Sequence, residues 1–149
     1  MYNFSSKMKL DDSVIRRFST AKCFKDFQFQ INSLDFTSDG LCLISSDDEC
    51  IGIYDCTTGT RKRQLFSKKY GASLIKFAHQ PDTAIHASTK IDDTIRYLNL
   101  PDNRYIHYFG GHTKKVTQLA VPTTEENWFV SGSLDRTVRV WDFRSQNCQ

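Results

Sequence analysis

No stretch of this chain approaches the ~18 consecutive apolar residues of a membrane-spanning helix, so no membrane partner is expected. The first residues, Met1-Tyr2-Asn3-Phe4-Ser5-Ser6-Lys7, lack the apolar core of a secretory signal, which predicts a cytosolic or nuclear chain. No C-x-x-C pair occurs among the five cysteines, Cys23, Cys42, Cys50, Cys56 and Cys148, and their number is odd. That pattern predicts reduced thiols, not a disulfide framework. The histidines, His79, His86, His107 and His112, are scattered, so no zinc site and no cofactor is expected. The two signs of charge nearly balance, with 20 Lys and Arg against 17 Asp and Glu. A formal net charge of +3 is too small to predict nucleic-acid binding by itself. A phosphate loop is missing, and Ser131-Gly132-Ser133 does not make G-x-S-x-G. The acidic pairs Asp47-Asp48 and Asp92-Asp93 read as turns. An enzyme acting on a small-molecule substrate is therefore not the expected class. Long helical periodicity is lacking throughout.

What the chain does have is a period. Asp48, Asp92 and Asp135 are 44 and 43 residues apart, and the residues after each of them run in parallel. Glu49-Cys50-Ile51-Gly52-Ile53-Tyr54-Asp55 matches Asp93-Thr94-Ile95-Arg96-Tyr97-Leu98-Asn99 and Arg136-Thr137-Val138-Arg139-Val140-Trp141-Asp142. Upstream, Ile31–Phe36, Leu74–Phe77 and Val116–Val121 fall at matching offsets. Alternation with period two marks strands. Ser38-Asp39-Gly40, Thr58-Gly59, Pro81-Asp82, Pro101-Asp102-Asn103 and Pro122 mark turns. The third repeat adds Gly111-His112 at its front and Trp141-Asp142 at its close. A Gly-His pair, an Asp turn and a closing Trp-Asp at a spacing of about 40–45 residues resemble the WD40 repeat. The expected fold is all-β, a partial WD40 β-propeller of about three four-stranded blades. Blades are expected near residues 27–66, 70–109 and 112–149.

In the WD40 pattern a histidine bonds the turn aspartate, and a serine and a tryptophan complete the set. The matching residues are His112, Asp135, Ser131 and Trp141. The physical need is satisfaction, because buried polar groups are costly unless paired. Phe27 and Tyr70 stand at the histidine position in the first two repeats, and Tyr54 and Leu98 at the tryptophan position. Those blades are expected to rely on apolar packing.

Three blades are fewer than the 4–8 of a closed ring. The count predicts an open, partial propeller, with uncovered apolar faces and low stability in isolation. Residues 1–12 are expected as a flexible extension, and a strand is expected near residues 14–24.

Several segments narrow the family. They are Met8–Val14, Ser67-Lys68-Lys69-Tyr70-Gly71, Lys90–Leu98, Asp102–Phe109, Ser131–Asp135 and Arg144–Gln149. Together they closely resemble the WD repeat-containing protein 82 family, over about the first half of its length. The resemblance implies a nuclear, non-catalytic adaptor of COMPASS-type histone H3 lysine methyltransferase complexes. It implies partners among the methyltransferase complex subunits, the phosphorylated tail of RNA polymerase II and a protein phosphatase 1 complex, with chromatin reached through them. Arg61, Lys62, Arg63, Lys68, Lys69 and Tyr70 flank one predicted outer strand, and such cations suit a phosphopeptide. Arg16-Arg17 with Lys22 and Lys25 make a second basic zone, and Lys114-Lys115 a third. Two other readings stand beside the adaptor. One is a truncated paralogue or isoform with reduced or competing function. The other is a nucleic-acid module using the basic loops, with Tyr70, Tyr97, Tyr105 and Tyr108 as stacking rings.

Overall fold

Turn chemistry cuts the chain into short antiparallel strands. The computed structural model describes residues 10–37, 39–46, 49–80, 82–124 and 126–145. Asp55 shows how a turn is set. Its Oδ1 accepts from the backbone of Thr57 and Thr58 and from the Thr57 hydroxyl, at 2.6–3.1 Å. Such side-chain-to-backbone bonds offer the chain a turn in place of a longer ladder. Asp135 and Asp142 make equivalent bonds at the later turns.

The first blade contains β1 (Ile31–Phe36), β2 (Leu41–Ser46), β3 (Cys50–Asp55) and β4 (Thr60–Phe66), hydrogen-bonded in that order. The second contains β5 (Ser73–Phe77), β6 (Thr83–Ala87), β7 (Ile95–Asn99) and β8 (Arg104–Phe109). The third contains β9 (Val116–Ala120), β10 (Trp128–Ser133) and β11 (Val138–Asp142). The expected four strands are thus found in two blades and three in the third, among the described residues. The three sheets do not close into a ring.

Successive residues of a strand point to opposite faces. In β7 this sends Ile95 and Tyr97 to one neighbour and Leu98 to the other. One core, between blades one and two, holds Ile51, Ile53, Leu65, Ile75 and Leu98. A second, between blades two and three, holds Ile85, Ile95, Tyr97, Phe109, Phe129 and Trp141. Polar side chains of β1 fix the first two blades against each other. Asn32 donates to the Ala72 carbonyl at 3.0 Å, and Asp35 accepts from Phe77 N at 2.9 Å and from Lys76 Nζ at 3.0 Å. Each blade is therefore stabilised mainly through its neighbours, as repeat stacks are.

The strand expected near 14–24 is replaced. Asp12–Ile15 form a single helical turn, α1, capped by Asp11, which accepts from Val14 N at 3.0 Å. No strand is found from there to β1. The reason is pairing: a strand persists only where a neighbour takes its N–H and C=O groups, and none of the three sheets pairs with this segment. The expected extension 1–12 lies outside the described residues up to residue 9, and Asp48, Pro81 and Cys148 also fall outside them. Cys42 and Cys50 are buried in β2 and β3, and Cys23 and Cys56 are exposed, all as free thiols. Among the described residues no helix is long and apolar enough to cross a membrane, and no His/Cys/Asp/Glu group could hold a metal ion.

Candidate functional site

Blade three carries a continuous polar chain beneath the loop that joins it to blade two. His112 Nδ1 lies 2.7 Å from Asp135 Oδ2, and His112 Nε2 lies 2.7 Å from Ser131 Oγ. Trp141 Nε1 donates to the same Ser131 Oγ at 2.8 Å. A carboxylate only accepts, which makes His112 Nδ1 the donor. With a neutral ring, Nε2 then accepts from the serine hydroxyl, whose oxygen in turn accepts from the indole. Every polar atom of this set is satisfied. Asp135 also accepts from Thr137 and from Thr113 N. The Thr137 bond, followed by His112, holds its carboxyl well below the usual carboxylate range.

Blade two performs the same task with other residues, which corrects the expectation of purely apolar packing there. Ser88 and Asp92 stand at the Ser131 and Asp135 positions. Arg96, on β7, bridges them. Its Nη1 donates to Asp92 Oδ1 at 2.8 Å and to Ser88 Oγ, and its Nη2 donates to Asp92 Oδ2 at 2.7 Å. The Arg96 side chain is 3% exposed. Tyr70, at the histidine position, lays its ring over the guanidinium at 3.5 Å. Tyr108 and Tyr105 approach the same group from 5.6 and 6.0 Å. A delocalised cation over aromatic faces is favourable when both leave water together. The Arg96 bonds pull the Asp92 carboxyl down to about 2.

Blade one uses a third arrangement. Gly52 occupies the place of Arg96, and the Phe27 ring closes over it. A Cβ at Gly52 would stand 2.9 Å from Phe27 Cζ and 2.6 Å from Tyr54 Cε2. Tyr54, at the tryptophan position, donates to Asp26 Oδ2 at 2.9 Å and packs against Phe24 at 4.6 Å. Burial, and then the Asp26 carboxylate, push the Tyr54 hydroxyl well above its ordinary value. Here packing carries most of the load, with one buried hydroxyl paired.

The six residues expected to contact a partner do not form one patch. Arg61 pairs with Asp26 at 3.3 Å, and Lys62 with Asp55 at 3.6 Å. Arg63 reaches the next blade and donates to the carbonyls of Leu100, at 3.4 Å, and Pro101. These three sit at the start of β4. Lys68, Lys69 and Tyr70 lie beyond its other end, roughly 20 Å along a strand of this length. Lys68 caps the Phe66 ring at 5.6 Å and Lys69 the Tyr70 ring at 5.0 Å. Both lysines are exposed, and among the described residues neither has a carboxylate partner. In the second basic zone Lys22 donates to the Gly59 carbonyl and lies over Phe24. Lys114 and Lys115 use their carbonyls to hold Ser133 Oγ and Leu134 N. Of the four stacking candidates, Tyr97 is 4% exposed, Tyr105 bonds Ser67 Oγ and Tyr70 covers Arg96. Only Tyr108 among them presents a half-exposed ring.

Sequence reasoning did not single out Arg96, Asp26 or Gly52. The signal for Arg96 was available: it stands four residues past the turn aspartate, as Arg139 does in blade three.

The WD domain, G-beta repeat pattern matches residues 20–55 and 103–142, just over half of the chain. WD repeat-containing protein 82 of Drosophila melanogaster is 56% identical over 144 residues, 96% of this chain and 45% of that protein. Set1 complex component swd2 of Schizosaccharomyces pombe is 48% identical over 84% of this chain and 35% of its own length. COMPASS component SWD2 of Saccharomyces cerevisiae is 35% identical over 83% of this chain and 39% of its own length. The chain is homologous to these proteins and spans less than half the length of each.

Proposed function

The chain belongs to the WD domain, G-beta repeat family, and from that premise we propose that it is a non-catalytic adaptor of a Set1/COMPASS-type histone H3 lysine methyltransferase complex in the nucleus. The observation that carries this reading is the identity of 56% across nearly the whole chain to WD repeat-containing protein 82, together with two further relatives named as Set1 complex and COMPASS components. The geometry agrees with an adaptor. Its polar networks are spent on holding blades in register, and its exposed groups are cations and aromatic rings that suit polypeptide partners.

Phosphorylated RNA polymerase II tail is the proposed ligand of the loop Lys68-Lys69-Tyr70, and chromatin is reached through the complex. A protein phosphatase 1 complex is the second proposed assembly. Lys68 and Lys69 suit a phosphate because nothing acidic in the described chain neutralises them. Arg61, Lys62 and Arg63 suit it less, since each is held by Asp26, Asp55 or backbone carbonyls. His112, Ser131, Asp135 and Trp141 are proposed to brace blade three and to take no part in partner contact.

Two experiments test the proposal. Tagged protein purified from nuclear extract should bring down the methyltransferase subunits; recovery of chaperones alone would overturn the adaptor reading. Lys68→Glu with Lys69→Glu should weaken binding of a serine-phosphorylated tail peptide by about tenfold or more. Unchanged affinity would remove this loop from the site and leave the adaptor reading in place.

A further inference from the structure

The grooves between adjacent blades differ in whether a guanidinium crosses them. Between blades one and two the groove is walled by Ile53, Lys62, Leu100 and Pro101. Arg63, on the outer strand of blade one, crosses it and donates to the Leu100 and Pro101 carbonyls. One blade further on, the corresponding cleft is walled by Tyr97, Ile106, Phe143 and Arg144, with His79 and Gln80 beneath, and has a volume of about 210 Å³. Strand pairing fixes the equivalence. Ile53 faces Arg63 across β3 and β4, and Tyr97 faces His107 across β7 and β8. His107 therefore stands where Arg63 stands. It does not cross the cleft: its ring turns against Phe109 at 4.7 Å, and its Nε2 is buried without a hydrogen-bond partner.

The walls have changed to match the absence. Ile53 becomes Tyr97 and Leu100 becomes Phe143, so two aliphatic surfaces are replaced by aromatic rings 5.1 Å apart. Aromatic faces attract a cation, and a planar guanidinium stacks on them as well. His79 Nε2 is buried with no partner and accepts in the tautomer that carries its proton on Nδ1, and Phe143 and Arg144 stand at the positions of Leu100 and Pro101, whose carbonyls Arg63 occupies. The one cation lining the cleft, Arg144, is balanced by Asp142, which it contacts at 2.6–3.3 Å.

We propose that the cleft between blades two and three is a receptor for an arginine side chain presented by a partner polypeptide, with Arg63 in the neighbouring groove as its internal template. Arginine is favoured over lysine because a planar, weakly hydrated guanidinium stacks on the aromatic rings that wall the cleft, whereas an ammonium is a compact, strongly hydrated point charge. The inference does not depend on which complex the chain joins.

The test is a nuclear magnetic resonance titration of the 15N-labelled chain with a short Gly/Ser peptide bearing one central arginine. Saturable shifts are expected at Gln80, Ile106 and Asn127. The same peptide with citrulline, which keeps the shape and loses the charge, should bind about tenfold more weakly or worse. His107→Arg, which restores an internal guanidinium at the Arg63 position, should abolish the shifts while the spectrum stays dispersed. Equal binding of the citrulline peptide to the unaltered chain would overturn the proposal. So would arginine-induced shifts confined to other regions, or unchanged binding by a folded His107→Arg chain.

Discussion

Blades two and three solve one problem with different chemistry. Both must pin a turn aspartate and a buried serine under the loop that enters the blade. Blade three reaches them from the loop, through His112, and closes the chain with Trp141. Blade two reaches them from the strand, through Arg96, and uses its loop residue, Tyr70, as an aromatic lid. The positions are equivalent and the residues are not. What the repeat preserves is a requirement for satisfied donors and acceptors at fixed backbone sites. Arginine meets it at the cost of burying a charge, which is tolerable only with a bidentate partner and an aromatic cover.

The comparison can be broken by removing each keystone in turn. Trp141→Ala should have the largest effect. The indole is fully buried in the core shared with blade two and anchors Ser131, so a loss of about 3–5 kcal/mol is expected in denaturant unfolding. A smaller loss would mean that blade three is held mainly by its neighbours. Arg96→Met should come next, at about 2–3 kcal/mol. That is below the full cost of breaking a buried pair, because the Asp92 side chain is 36% exposed and water takes part of its charge.

The same variant carries a pH signature. Arg96 lowers the folded Asp92 carboxyl to about 2, below the ordinary unfolded value near 3.9. The resulting stability is present above about pH 4 and is lost as pH falls toward 2. Arg96→Met should flatten that part of the acid limb, and His112→Ala should leave the Asp92 contribution in place. An acid limb unchanged by Arg96→Met would break the assignment.

Gly52→Ala tests the third arrangement. A methyl at Gly52 meets Tyr54 and Phe27 at 2.6 and 2.9 Å, so about 1–3 kcal/mol of overpacking is expected from thermal unfolding. A neutral result would show that Phe27 can withdraw. Tyr70→Leu should cost only about 1 kcal/mol, the worth of a partly desolvated cation–π contact. It sharpens the comparison by separating the lid from the bridge.

Much of this was legible in the chain. The 44- and 43-residue spacing of Asp48, Asp92 and Asp135 set three repeats, period-two alternation located β3 and β11, and the repeat register placed β7 between them. Gly111-His112, Ser131, Asp135 and Trp141 match the WD40 pattern, and that resemblance implied the blade-three chain. Other parts were not legible. Tyr70 and Leu98 look like losses when each position is read against the common pattern. The spacing of Arg96 from the turn aspartate is visible in the sequence, but its role as the replacement appears only in space, where it reaches Ser88, just past the end of β6, and the turn residue Asp92. Likewise, Arg61–Arg63 and Lys68–Lys69 form one charge run in the sequence. A β-strand places its two ends on opposite rims, and ion pairs with Asp26 and Asp55 then consume part of one end.

Residue order alone set the number and succession of the repeats and their strand periods, and, through the resemblance to the WD40 pattern, the polar set of blade three. These depend on local spacing and on side-chain chemistry. The tertiary structure decided which cations are free, which residue bridges blade two, why residues 14–24 are not a strand, and that the guanidinium crossing one groove has no counterpart crossing the next. Those outcomes depend on which groups approach one another in space, and residue spacing does not encode those distances.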